Sequence, residues 1–176
     1  PTDAGSTQTR PCLPRSGAPG AKPQPPAAAS ATPSGSVPDY ETITAASFGA
    51  GLTGMGVNIL VRDVEAQAAR LAALFDMTAH RVSRDFAIMV YDGAVFQLHS
   101  DATYHSNPYL ARLPENPPRG AGIELRLYGT DPDRAASRAI AHGMTVLQPP
   151  MDKPHGLREC YLLCPDGYAW VPSRPL

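Results

Sequence analysis

Five histidines, two of the five glutamates and a few amides are what this chain offers for chemistry. The histidines are His80, His99, His105, His142 and His155. His99 stands two residues beyond Gln97 in a strand-like stretch, so the two share a face. That makes His99 a candidate ligand or acid–base residue. His155 opens a loop and is a second candidate, set against a turn-positioning role. His142 falls at a predicted helix end, where the C-terminal dipole accounts for it; His80 and His105 read as exposed. Glu124 and Glu159 admit two readings. As a buried pair with raised pKa they could move a proton. Salt-bridged to Arg126 or Arg158 they are structural, and that is the simpler reading. Cys160 and Cys164 lie about 13 Å apart on an extended strand, too far to bridge. They read as small apolar residues. No nucleophile elbow, phosphate loop or paired Cys-x-x-Cys is present in the sequence.

The elements that must position these groups are legible from Gly56 onward. Val57 to Arg62 is a β-rich apolar run. Asp63 caps a helix, and Val64 to Phe75 is rich in Ala and Leu. Strands are predicted near 78–83, 86–91 and 94–99, the last two joined by a hairpin turn at Asp92-Gly93. Residues 100–119 are loop-like, and the run from Tyr104 to Pro118 reads as a lid or a contact surface. A second set follows. Gly122 to Tyr128 reads as a strand, and Asp131-Pro132 opens a helix. That helix stops at Gly143. Strands are predicted near 145–148, 157–163 and 168–172, with a turn at Pro165-Asp166-Gly167.

What precedes Gly56 is different in kind. Nine of the 20 prolines fall within residues 1–38. Such a segment cannot bury enough apolar surface to offset its ordering entropy, and is expected to be a disordered or partner-bound extended tail. Residues 39–55 carry Tyr40, Ile43, Phe48, Leu52 and Met55, enough to dock as a linker. The chain of 176 residues holds 15 Lys and Arg against 16 Asp and Glu. That balance argues against nucleic-acid binding, which needs a basic surface. No apolar run reaches the roughly 18 residues of a membrane span, and nothing opens the chain as a secretory signal. The three cysteines, Cys12, Cys160 and Cys164, form no disulfide framework, so a reducing, cytoplasmic setting is expected.

The two halves repeat one another. Val57-Asn58-Ile59-Leu60-Val61-Arg62-Asp63, a helix and Asp76-Met77-Thr78 are matched by Ile123-Glu124-Leu125-Arg126-Leu127, Asp131, a helix and Gly143-Met144-Thr145. Asp63 to Asp76 spans 13 residues and Asp131 to Gly143 spans 12. An ordered set of this kind indicates duplication. With Phe75-Asp76-Met77 and the closing Pro154-His155-Gly156-Leu157-Arg158-Glu159 and Cys164-Pro165-Asp166-Gly167-Tyr168, the chain resembles the vicinal oxygen chelate superfamily, also called the glyoxalase/bleomycin resistance/dioxygenase family. The resemblance covers residues 56–176. It implies an α+β fold of two βαβββ modules, 56–113 and 120–176, pairing into one eight-stranded cup-shaped sheet after the Pro-rich tail.

The resemblance also implies four metal-ligand positions, falling at Gly56, Gln97, Glu124 and Val171. Gly56 and Val171 offer no side-chain donor, and His99 could restore only a three-ligand set with Gln97 and Glu124. No metal and no cofactor are therefore expected. By strand parity Asn58, Gln97, His99, Glu124, Arg126 and Tyr161 line the cup as ligand-binding candidates, with His99, Glu124 and Glu159 as candidate catalytic groups. Arg70 and Leu71 stand where the family often has an aromatic pair. The expected function is a non-catalytic binding or accessory subunit of a larger complex, docked through residues 1–38. The alternatives are a bleomycin-resistance-like small-molecule-binding protein, or a metal-independent lyase or isomerase. A divalent-metal glyoxalase-type enzyme comes last.

Overall fold

The computed structural model describes residues 38–176. The Pro-rich segment, and with it the expected docking arm, lies outside the described residues apart from Pro38.

Each half runs strand, helix, three strands. In the first module β1 (Asn58–Leu60), β2 (Thr78–His80), β3 (Phe86–Tyr91) and β4 (Ala94–His99) form a sheet of order β1-β4-β3-β2. In the second, β5 (Glu124–Tyr128), β6 (Thr145–Asp152), β7 (Leu157–Leu163) and β8 (Ala169–Pro175) form a sheet of order β5-β8-β7-β6. In both, the first strand pairs in parallel with the last, Asn58 beside Gln97 and Arg126 beside Val171. The eight strands expected in one cup are thus hydrogen-bonded as two four-stranded sheets, with no ladder joining them among the described residues.

The helices form for local reasons. α1 (Ala45–Gly51) is discussed below with the site. In α2 (Val64–Phe75) the Asp63 side chain accepts from the Ala66 N–H, and Asp76 ends the helix in a left-handed conformation at φ 55°. In α3 (Pro132–Ala139) Asp131 caps and Pro132 fills the first turn, where a missing N–H costs nothing. A 3-10 turn, Ile140–His142, carries the chain to Gly143 at φ 71°. Both helices bury one stripe on the convex side of their own sheet. Val64, Ala68, Leu71 and Phe75 of α2 join Ala135 and Ala139 of α3, Leu98, Leu127, Leu162 and Trp170 in a single core. Phe75 stacks on Trp170 with centroids 6.0 Å apart.

β6 runs further than the 145–148 expected, through Pro149-Pro150 to Asp152, with register shifts on either side of Gln148. It is an edge strand, and there a proline needs no ladder partner for its missing N–H. The two modules are also pinned by polar contacts. The Tyr168 hydroxyl donates to the Leu60 carbonyl at 3.0 Å, and the Tyr91 hydroxyl to the Tyr128 carbonyl at 2.6 Å. Asp166, read in the sequence as turn chemistry, is 4% exposed and accepts from Arg62 Nε at 2.8 Å.

Candidate functional site

Because Phe96 and Leu98 face the helices, Val95, Gln97 and His99 must face the opposite, concave side of the first sheet. Asn58 joins them through its register with Gln97. Asn58 Nδ2 donates to the Tyr104 hydroxyl at 3.2 Å, so the first part of the loop predicted as a lid lies against this edge. His99 is held on all sides. Nε2 is 3.3 Å from Gln97 Oε1 and Nδ1 is 3.2 Å from Thr103 Oγ1. Phe86 and Tyr104 pack edge-on against its ring, with centroids 5.1 and 5.4 Å away. Burial pushes its pKa down, disfavouring the imidazolium.

Residues 38–55 fold back as a strap toward this module. Thr44 caps the short helix α1, and Phe48 is that helix's buried residue. Tyr40 meets Phe48 edge-on at 5.9 Å and leans on His80 at 5.4 Å. Glu41 latches the strap: its carboxylate lies 3.1 Å from His80 Nδ1 and accepts from the Arg81 N–H. Arg81 sits at φ 50°, a left-handed conformation unfavourable for a residue with a side chain, and its guanidinium donates to the Glu41 and Ile43 carbonyls. His80 is therefore half-buried rather than exposed. Between the strap and β1–β4 lies a cavity of about 880 Å³, lined from the strap by Tyr40, Ile43, Phe48 and Leu52 and from the sheet by Asn58, Val95 and Gln97. A second pocket of about 360 Å³ shares Met55, Ala94 and Val95 with it and is also lined by Ile59, Phe96, Trp170 and the Glu124–Leu127 stretch.

On the second module the same parity argument puts Cys160 and Leu162 in the core and Glu159 and Tyr161 on the concave face. Glu159 is 2% exposed, yet it is charged. Burial alone would raise its pKa, but the hydrogen bond and charge of Arg126, joined by His155 at 3.5 Å, outweigh that and hold it below the ordinary carboxylate range. Lys153 Nζ stands 3.8 Å away and also lies over the Tyr161 ring at 5.6 Å. Arg126 bonds Glu124 as well, at 2.9 Å. The proton-moving pair considered from sequence is thus replaced by two carboxylates sharing one guanidinium, and Glu159 shifts down where that reading needed it raised. Arg158 points to the helix side, bonded to Asp133 and Asp152. Sequence reasoning missed Lys153 at this cluster and Arg81 at the latch. A fully buried Ser173, whose hydroxyl has no partner among the described residues, faces Glu159 across the β7–β8 ladder.

The candidate residues therefore gather in two clusters: Asn58, Gln97 and His99 on the first sheet, Glu124, Arg126, Glu159 and Tyr161 on the second. Glu124 bonds neither Gln97 nor His99. Among the described residues no three His, Cys, Asp or Glu side chains come together in a way that could hold a metal. Val171 is fully buried.

No family model matches the chain, and no curated protein matches it. Solved structures do. A glyoxalase/bleomycin resistance protein/dioxygenase family enzyme from Burkholderia phytofirmans PsJN superposes with a TM-score of 0.59 at 21% identity, covering 69% of this chain and 97% of that one. A glyoxalase-related enzyme from Fulvimarina pelagi gives 0.58 at 18% identity, over 69% and 87%. The fosfomycin resistance protein FosX from Mesorhizobium loti gives 0.50 at 17% identity, over 72% and 93%. The chain has the vicinal oxygen chelate fold. Of the four positions at which the resemblance placed metal ligands, Gln97, Glu124 and Val171 lie on β4, β5 and β8, and Gly56 falls two residues before β1. No helix among the described residues is long and apolar enough to cross a membrane.

Proposed function

We propose that this chain is a metal-independent binding protein of the vicinal oxygen chelate fold, holding a small organic molecule in the groove between the strap and β1–β4. The observation that carries this reading is the cavity of about 880 Å³ whose walls are apolar strap residues on one side and the Asn58 and Gln97 carboxamides on the other. Such a lining, apolar side chains beside polar groups that include Thr53, Asn58 and Gln97, offers a small organic molecule both packing and hydrogen bonds. The donor set supports a degenerate metal site. Gly56 has no side chain, Val171 is apolar, Glu124 is bound to Arg126, and Gln97 is engaged by His99. Binding rather than turnover is favoured because the candidate bases are occupied: Arg126 neutralises Glu159, and both ring nitrogens of His99 lie within hydrogen-bonding distance of Gln97 and Thr103.

The test is a thermal-shift and dialysis screen of a chemically diverse library, run with and without EDTA. Hits should be unaffected by the chelator and should be lost or weakened in Phe48→Ala. Stoichiometric, tight uptake of a divalent ion, or hits that vanish with EDTA, would overturn the reading.

A second reading, an accessory subunit anchored through residues 1–38, is favoured by the nine prolines concentrated there. Native size in the protein's own cell, compared between the full chain and one lacking residues 1–38, decides it. A large assembly that depends on the segment supports anchoring, and equal small sizes remove it.

A further inference from the structure

The lining of the strap groove defines the chemistry of its occupant. None of its residues carries a charge at neutral pH: Tyr40, Ile43, Phe48, Leu52 and Met55 from the strap side face Asn58, Val95 and Gln97 of the sheet. An ion seated against such walls gives up part of its hydration with no charge there to replace it. The nearest charges of the strap are engaged elsewhere: Asp39 accepts from the Glu41 N–H and the Thr42 hydroxyl, and Glu41 is spent on Arg81 in the latch.

The two carboxamides are only half used. Asn58 gives Nδ2 to the Tyr104 hydroxyl, which leaves Oδ1, an acceptor, without a protein partner among the described residues. Gln97 meets His99 through Oε1, which leaves Nε2, with two N–H donors, likewise unpartnered. The two residues are register partners on adjacent parallel strands, with side chains on the same face. The strand edge therefore presents an acceptor next to a donor. That pattern is complementary to a group holding an N–H beside a C=O.

The geometry points to an uncharged ligand with an amide-type edge — a carboxamide, lactam or imide — seated on Asn58 and Gln97, its aromatic or aliphatic body under Tyr40 and Phe48. This rests on the groove being the ligand site and names what that site accepts. The free carbonyl oxygen of Asn58 takes the ligand N–H, and the free amide of Gln97 gives to the ligand carbonyl. The apolar body fills the strap side.

Three probes of one shape test it on the full chain: 3-phenylpropanamide, its N,N-dimethyl derivative and 3-phenylpropanoate. Binding is followed by backbone amide shifts at residues 56–58 and 94–97. The primary amide should bind about 5–10-fold more tightly than the dimethyl amide, the equivalent of one lost hydrogen bond. The carboxylate should be weaker by at least that factor. Asn58→Leu should weaken the primary amide about 5-fold while leaving the dimethyl amide, which has no N–H to give, within 2-fold, which also shows that the variant is folded. Carboxylate binding equal to or tighter than the amide, in the same groove, would overturn the inference and leave the binding function standing. If none of the three shifts these residues while other library compounds do, the inference falls alone. If nothing binds the groove at all, both fall.

Discussion

At the residue scale the most consequential side chain is Glu159, a charged carboxylate 2% exposed on the concave face of the second sheet. Removing one partner of a buried ion pair is worse than removing both, because the remaining charge is left without compensation. Arg126→Leu is expected to lower stability by about 2 kcal/mol in urea denaturation, less than a buried charge left alone would cost because Lys153 and His155 still face Glu159, whereas Arg126→Leu with Glu159→Leu should recover most of that loss. A double variant as unstable as the single one would show that Arg126 acts through its packing. The same pair sets an acid dependence. Arg126 and His155 hold the folded-state pKa of Glu159 below its unfolded value, so the stability it contributes is present above the ordinary carboxylate range. It is lost as pH falls through the depressed value. Glu159→Gln should flatten that part of the curve of stability against pH below about 4.5, measured by denaturation at each pH. An unchanged acid limb would mean that other carboxylates dominate it.

At the element scale the strap is the feature that separates this chain from a bare two-module fold. It is attached by few groups: Phe48 as the buried residue of α1, Tyr40 on His80, and the Glu41–Arg81 latch. Segments with so little burial open locally without global unfolding. Phe48→Ala should therefore make residues 38–55 at least about 10-fold more sensitive to limited proteolysis, a change of roughly 1.4 kcal/mol in the opening equilibrium. The melting temperature of the two modules should move little. A large drop in melting temperature would place the strap inside the cooperative unit.

At the scale of the whole molecule the two modules share one core. Phe75, Trp170, Leu98 and Leu162 belong to a single cluster, and the seam is closed by Tyr168 on Leu60, Tyr91 on Tyr128 and Arg62 on Asp166. They should melt in one transition. Calorimetry of residues 38–176 is expected to give a calorimetric enthalpy equal to the van't Hoff value, with a melting temperature close to that of the full chain. Two resolved transitions would show that each module folds by itself.

The sequence by itself determined the elements and their order. The hydrophobic runs, the Asp63 and Asp131 caps, the Asp92-Gly93 turn and the Gly143 stop are local signals acting over a few residues. They place α2 at Val64–Phe75 and three of the strands at the bounds read from the sequence. Parity along each strand also sets which side chains share a face, and it puts Gln97 and His99 on one side of β4. The tertiary structure decided the partnerships. Whether Glu159 is a proton carrier or an ion-pair member depends on Arg126, 33 residues away in sequence. Whether His99 is free depends on Thr103 and Tyr104, brought in by a loop without periodic signal. The groove exists only because Glu41 reaches His80 and Arg81 across about 40 residues of chain. Local propensity carries no information about such contacts, because their energy appears only once distant segments share the same space.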